Sequence, residues 1–177
     1  MLRDPADPIA SNNPLTLVGA VAGAAGGWLF SQYAGASLWI PGIAALLLGL
    51  LFAKTPIAPP HFRGAIAVTG GHVVWFIAGA ALTGTWEVVG IDVAVLLAAI
   101  ALVWAKPSPT SGLILAAVQL VSLGINGFWL LAATFGSADH RALAVHVLFR
   151  VLALVFVIAE LLALRRAASP SEPPASA

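Results

Sequence analysis

The stretch that decides the fold is residues 139–166, DHRALAVHVLFRVLALVFVIAELLALRR. As a helix with a rise of about 1.5 Å per residue it reaches about 42 Å, which crosses a bilayer and leaves part of each end among the lipid headgroups. Most of its side chains are apolar, and Arg150 is the charged residue nearest to its middle. The stretch therefore predicts a membrane-spanning helix.

The polar residues inside this helix share one face. With His146 at 0° and about 100° per residue, Arg150 falls at about +40° and Glu160 at about −40°. Ala153 and Val157 lie between these residues on the same face. A charge inside hydrocarbon is costly and turns towards protein or water, so we expect this face to point into a bundle of helices.

The composition places the whole chain in a lipid bilayer. Of its 177 residues 60% are hydrophobic and 8% are charged, whereas about a quarter of the residues of a soluble domain carry charge. The chain has no cysteine, which excludes disulfides, thiolate metal sites and thiol catalysis. A net charge of +1 gives no indication of a nucleic-acid partner.

Six apolar runs fill most of the chain and predict an all-α polytopic integral membrane protein, a bundle of six transmembrane helices that can be described as three helical hairpins. The predicted transmembrane domain covers residues 15–166. It lies between a polar N-terminal segment, residues 1–14, and a Pro- and Ser-rich tail, residues 167–177, that we expect to be disordered. The runs are Leu15–Tyr33, Leu38–Ala53, Gly64–Leu82, Trp86–Ala105, Gly112–Phe135 and His140–Leu164.

Basic residues occur in alternate connectors. The connectors after the first, third and fifth runs have no Lys or Arg before Arg141. By the positive-inside rule this distribution predicts an even number of crossings in the inner (cytoplasmic) membrane, with both termini in the cytoplasm. The basic residues that follow the second, fourth and sixth runs are Lys54, Arg63, Lys106, Arg165 and Arg166.

Small residues are dense in the first run. Gly19, Gly23 and Gly27 recur at a spacing of four, which places them on one helix face. Such a face permits close contact with another helix, either inside the bundle or in a second copy. The pattern favours a homo-oligomer or a partner in a membrane complex.

Arg150 is the residue of the predicted helices that is most costly to place inside a membrane. A central arginine costs about 2.5–3.5 kcal/mol to insert in a membrane and cannot lose its proton. Asp92 is the best internal counter-ion and Glu87 the second. A firm ion pair would be a structural clamp, whereas a loose one would let the guanidinium receive the carboxylate of a solute.

The other polar residues of the runs suggest further roles. We expect Asn126 and His72, near the middle of their runs, to donate hydrogen bonds to a solute, and His146 to handle a proton with Asp92, because Asp92 and His146 count to similar depths. Glu160 lies near the predicted inner interface. Its expected role is an ion pair with Arg165.

Two histidines on different helices also suggest a haem site. Counted from the loop ends, however, His72 lies several ångströms deeper than His146 at about 1.5 Å per residue, which fits one iron poorly. A histidine after two glycines, as in Gly70, Gly71, His72, is typical of a close helix contact. The sequence contains no Walker loop, HExxH or GxSxG motif, so we predict no enzyme activity, no metal and no cofactor.

Three groups of residues in the first half of the chain form a recognisable pattern: Asn13, Pro14, Leu15 and Leu17; Gly42, Ile43, Ala44, Gly49, Leu50, Leu51 and Lys54; and Gly64, Ala67, Thr69 and Trp75. They resemble the Asn-Pro-x-Pro-Leu-Gly-Leu, Gly-Gly-Ile-Ala-Gln and Gly-x-Thr-Ala-Phe-x-Ser-Tyr-Gly-x-Phe-Trp segments of the acetate uptake transporter family of bacteria and fungi. Ala45 stands where that family carries Gln. The resemblance implies an oligomeric carrier or channel for small monocarboxylates.

The sequence thus supports three hypotheses. The first is passage of a small solute, a proton-linked monocarboxylate, with Arg150, Asn126 and His72 as the binding residues and His146 and Asp92 as the proton-handling pair. The second is a non-transporting subunit or anchor of a larger membrane complex. The third is a haem or quinone site in electron transfer.

Overall fold

The computed structural model describes residues 26–168, and over this range the chain forms helices joined by short connectors, with no strand. The predicted all-α class is confirmed for these residues. The predictions for residues 1–14, for the glycine face at Gly19 and Gly23 and for the tail from residue 169 onwards lie outside the described range. The helices are α1, described over residues 26–34, α2 (Ala36–Lys54), α3 (Arg63–Thr83), α4 (Trp86–Ala105), α5 (Pro109–Ala132) and α6 (Ala138–Ala168).

Four of the helices, α2, α3, α5 and α6, are long and apolar enough to cross a bilayer. The apolar stretch of α4 is shorter, Val89–Ala105, and spans about 26 Å against a hydrocarbon thickness of about 30 Å. The large side chains on the outside of the bundle are mainly Leu, Ile, Val, Phe and Trp, as expected of a surface that faces lipid. The structure is that of a membrane-protein bundle, and the count of six crossings stays a prediction.

Helices α2 to α6 pack into one unit with α3 and α6 at its centre. Helix α3 contacts α2, α4 and α6, and α6 contacts α5, α3 and α2. Helix α4 completes the bundle between α3 and α5. All consecutive helices from α2 to α6 contact each other, so the division into helical hairpins stays a prediction.

The basic residues gather at one end of this unit, which we call the basic end. It carries Lys54, Arg63 and Lys106, because the short connectors return each helix beside the previous one. The main apolar cluster lies close to it and includes Phe52 and Val103 near the ends of their helices. The opposite end, which we call the loop end, carries the connectors 84–85 and 133–137.

Local chemistry sets the helix limits near the site. Helix α5 begins at Pro109 because Ser108 and Ser111 form a reciprocal capping box: the Ser111 N–H donates to Ser108 Oγ at 3.2 Å and the Ser108 N–H donates to Ser111 Oγ at 3.0 Å. Helix α3 ends at Gly84, whose φ of 75° is left-handed and whose N–H donates to the carbonyl of Ala80.

Helices α2 and α3 approach each other most closely at Gly71. A Cβ atom built on this residue would lie 2.5 Å from the carbonyl oxygen of Pro41 and 2.7 Å from the backbone nitrogen of Ala45. Both obstacles are backbone atoms, which cannot rotate away. Gly71 is therefore the point that lets α2 lie against α3, next to His72, and the close helix contact expected from the Gly-Gly-His sequence is confirmed.

Substituting Gly71 by Ala is expected to lower the free energy of unfolding by about 1–3 kcal/mol, because the two helix backbones have to move apart. The matched control is Gly79→Ala in the same helix, where an added Cβ meets no atom within 4 Å. This control should be neutral or more stable by up to about 1 kcal/mol, since Ala favours helix over Gly. Unfolding of the purified proteins in mixed micelles, followed by circular dichroism, measures both, and equal stabilities would contradict the close approach.

Candidate functional site

The polar face of α6 points into the bundle, as its sequence predicts. Arg150 and Ala153 are each 1% exposed and Val157 is fully buried. His146 and Glu160, at the two ends of the face, are half-buried. An arginine with so little exposure inside an apolar bundle has its charge surrounded by protein, so its partners decide what the site can do.

Arg150 is held by a chain of hydrogen bonds that crosses three helices. Its Nη1 donates to Gln119 Oε1 on α5 at 2.9 Å, and Gln119 Nε2 donates to Thr69 Oγ1 on α3 at 3.0 Å. Gln119 and Thr69 are each 1% exposed, so the whole chain is shielded from water and lipid. We call Thr69, Gln119 and Arg150 the polar chain.

The polar chain itself brings no negative charge to Arg150. Gln119 is neutral, and Nε of Arg150 is buried without a hydrogen-bond partner. The expected ion pair with Asp92 is not formed, and Glu87 does not supply one either, because neither carboxylate lies within 4.0 Å of the guanidinium. The structure thus shows no direct bond between Asp92 and Arg150, and the two carboxylates' roles at this arginine stay predictions.

Arg150 instead lines a cavity of about 430 Å³ between α4, α5 and α6, which we call the arginine cavity. Asp92 on α4 and Asn126 with Ser122 on α5 line the same cavity. Asn126 Nδ2 donates to the carbonyl oxygen of Ser122 at 2.7 Å and to its Oγ at 3.1 Å, which fixes the amide against its own helix. The remaining lining residues are apolar: Val95, Leu96, Ala117, Val118, Val121 and Ile125.

The two candidate histidines meet one helical turn away from the polar chain. His72 Nε2 and His146 Nδ1 are 2.8 Å apart, so one ring donates its N–H to the bare nitrogen of the other. His72 follows Thr69 by three residues on α3, and His146 precedes Arg150 by four on α6. The histidine pair, His72 and His146, is thus a second polar link between α3 and α6.

Aromatic rings surround the histidine pair. Phe76 stacks on His72 with ring centres 4.8 Å apart, Trp75 lies 4.6 Å from His146, and Phe149 lies 5.7 Å from His72. His146 reaches beyond this enclosure into a second cavity of about 460 Å³ near the loop end, which Trp129 and Asp139 also line.

The contact between the histidines corrects two predictions. The expected difference in depth between His72 and His146 is wrong, because counting residues from the loops assumes level helix ends and parallel axes. His72 is also not among the residues that line the arginine cavity, so it does not join Arg150 and Asn126 there. Asp92 lines the arginine cavity and His146 the other one, and their proton-handling role stays a prediction.

The same distance argues against an iron bound between the two rings. Two nitrogen ligands on opposite sides of one metal ion would be roughly 4 Å apart, since each bond is about 2 Å long. The observed 2.8 Å is a hydrogen-bond distance. His72 Nε2 and His146 Nδ1 are therefore hydrogen-bonded to each other, with no room for an iron between these two atoms.

Glu160 has a partner that the sequence did not suggest. Its Oε1 lies 2.8 Å from Nδ1 of His61, in the connector between α2 and α3. Both side chains are partly exposed at the basic end. The predicted ion pair of Glu160 with Arg165 stays a prediction, and His61 adds a link between this connector and α6.

Gln119 and Thr69 are the site residues that sequence reasoning missed. The sequence does contain a signal for Gln119, namely its number of residues from the connector between α5 and α6. Gln119 precedes Ala132, the last residue of α5, by 13 positions, and Arg150 follows Ala138, the first residue of α6, by 12. In an antiparallel helix pair joined by a short loop, these two residues lie at the same height along the helix axes. Thr69 has no comparable signal, because its pairing depends on the rotation of α3.

Comparison of the chain with protein-family models, curated proteins and solved structures finds no match. The resemblance to acetate uptake transporters stays a prediction, and the function is argued from the geometry of the cavities and of their charged residues.

Proposed function

We propose that the chain is an integral membrane protein that moves a small monocarboxylate across the cytoplasmic membrane. The observation that carries the proposal is Arg150, a buried guanidinium that lines a cavity and has no carboxylate within 4.0 Å of it. Arginine stays charged at any physiological pH. A buried charge without a partner is costly, and a solute carboxylate in the cavity would compensate it.

The surroundings of Arg150 suit a small anion. Gln119 binds Nη1 and so directs the guanidinium, while Nε is buried without a hydrogen-bond partner. Asn126 and Ser122 offer additional polar atoms on the same cavity wall. A cavity of about 430 Å³ is at the lower end of the range typical of ligand sites, which favours a solute of few atoms.

Asp92 supplies the argument for coupling. A carboxylate bound at Arg150 brings a second negative charge into the cavity that Asp92 already lines. Two carboxylates in one site repel each other unless a positive charge enters with the solute. A proton is the simplest such charge, and the histidine pair one turn away provides groups that can exchange it.

The alternative is a non-transporting subunit or anchor, and one observation favours it. The polar chain and the histidine pair both join α3 to α6 in the way that structural hydrogen bonds join membrane helices. A purely structural role, however, does not require an unpaired Nε or a cavity beside it. The uncompensated charge is the reason we favour transport.

The proposed orientation has both termini in the cytoplasm, with the basic end facing inwards. It rests on the concentration of Lys54, Arg63 and Lys106 at that end. In this orientation the cavity at the histidine pair opens on the outer side, and His61 and Glu160 lie at the inner surface.

Reconstitution of the purified full-length protein tests the proposal. Liposomes containing it are expected to take up labelled isovalerate faster than protein-free liposomes, and an inward proton gradient should increase the excess. Neutral acids cross lipid unaided, so the protein-dependent excess at matched pH is the quantity to measure. Uptake equal to that of protein-free liposomes, together with a stably co-purifying membrane partner, would favour the subunit alternative.

A further inference from the structure

The arginine cavity is lined by one positively charged and one negatively charged side chain, which do not form an ion pair with each other. Arg150 enters from α6 and is 1% exposed, whereas Asp92 enters from α4 and is accessible. No direct ion pair joins them. Each charge is therefore available to an oppositely charged group of a ligand, and the cavity as a whole is neutral.

The rest of the lining is apolar on two helices. Val95 and Leu96 follow Asp92 by about one turn on α4, and Val118 and Val121 face them from α5. These side chains offer a surface for a short branched hydrocarbon. The cavity thus combines a cationic group, an anionic group and an apolar wall.

We infer that the solute is a small zwitterion, an apolar amino acid, whose carboxylate binds Arg150 and whose ammonium group binds Asp92. Its hydrocarbon part lies against Val95, Leu96 and Val121. The inference rests on the proposed function and names the chemical class of its solute. A zwitterion brings its own positive charge in the ammonium group, whereas a simple monocarboxylate needs a proton to enter with it.

Charge matching is the reason for preferring a zwitterion. A simple carboxylate satisfies Arg150 and leaves Asp92 beside a second negative charge, and a simple amine satisfies Asp92 and leaves Arg150 without an anion. A molecule with both groups compensates both residues at once. It does so without a change in the protonation of any cavity residue.

Valine, isovalerate and isobutylamine make a matched set of probes, because the second lacks only the ammonium group of valine and the third only its carboxylate. Binding to the purified full-length protein is measured by calorimetry at neutral pH. Valine is expected to bind about tenfold to hundredfold more tightly than either analogue, since each charged hydrogen bond adds that much. Asp92→Asn should reduce valine binding to the level of isovalerate.

The control variant is Glu87→Gln, which removes a carboxylate from the same helix outside the residues that line the cavity. It should leave valine binding unchanged. If isovalerate binds the unmodified protein as tightly as valine, and Arg150→Gln abolishes that binding, the zwitterion inference is overturned while the carboxylate site stands. If none of the three probes binds the folded protein, the inference and the proposed function both fail.

Discussion

Liposomes that carry the Arg150→Gln protein are expected to take up labelled isovalerate no faster than protein-free liposomes. Glutamine can donate a hydrogen bond at this position but cannot neutralise a carboxylate. Two charged hydrogen bonds contribute about 1.5–3 kcal/mol each, so their loss lowers affinity by a factor of roughly a hundred or more. The initial rate of uptake, corrected for the amount of reconstituted protein, is the measurement.

The loss should not reflect unfolding. Arg150 is a buried charge without a counter-ion, so its replacement by a neutral side chain removes a desolvation cost and leaves stability unchanged or higher. Arg150→Lys keeps the positive charge but lacks the planar guanidinium that can donate two parallel hydrogen bonds, so it should retain part of the uptake. Arg166→Gln, at the exposed end of α6, is the matched control and should behave as the unmodified protein. Full uptake by Arg150→Gln would remove Arg150 from the solute pathway.

Gln119→Leu is expected to lower the free energy of unfolding by about 2–4 kcal/mol, the largest stability effect we foresee. The substitution takes the acceptor from Arg150 Nη1 and leaves the guanidinium, whose Nε already lacks a partner, without its hydrogen bond. It also removes the donor to Thr69 Oγ1. Unfolding in mixed micelles, followed by tryptophan fluorescence, measures the change.

Two further variants separate this explanation from a simple packing defect. Gln119→Leu combined with Arg150→Leu should recover most of the lost stability, because no charge remains buried. Gln119→Glu should fold well but fail to bind isovalerate, since its carboxylate would take the place of the solute at Arg150. Equal destabilisation by the single and double leucine variants would show that the hydrogen bond to Gln119 is unimportant.

The helices could be predicted from the sequence because apolar runs determine them. The run Trp86–Ala105 coincides with α4, and the inward face of α6 follows from the 100° repeat that puts Arg150, Ala153 and Val157 together. The predicted start of α5 at Gly112 is three residues late. The polar residues before it, counted as a connector, form the capping box that begins the helix.

The candidate site could be predicted only in part. That Arg150 is buried follows from the pattern along one helix, but its partner depends on the rotation and level of its neighbours. Hydropathy contains no information on helix rotation, so Gln119 and Thr69 are not predicted as site residues, and His72 is expected beside Arg150 although it does not line the arginine cavity. The pairing of Glu160 with His61 depends on the path of a connector, which apolar runs do not describe.

Hydrogen bonds between side chains at two levels tie α3, α5 and α6 together, whereas none of the described side chains of α4 bonds to another helix. Sliding or turning of the three bonded helices would break buried polar contacts, and displacement of α4 would disturb mainly apolar ones. The described side chains of α2 likewise form no hydrogen bond to another helix, so α3, α5 and α6 are the hydrogen-bonded group of the bundle, and α2 and α4 pack on it without such bonds. Since Arg150 belongs to the hydrogen-bonded group and Asp92 to α4, a displacement of α4 would widen or narrow the gap between the two charges.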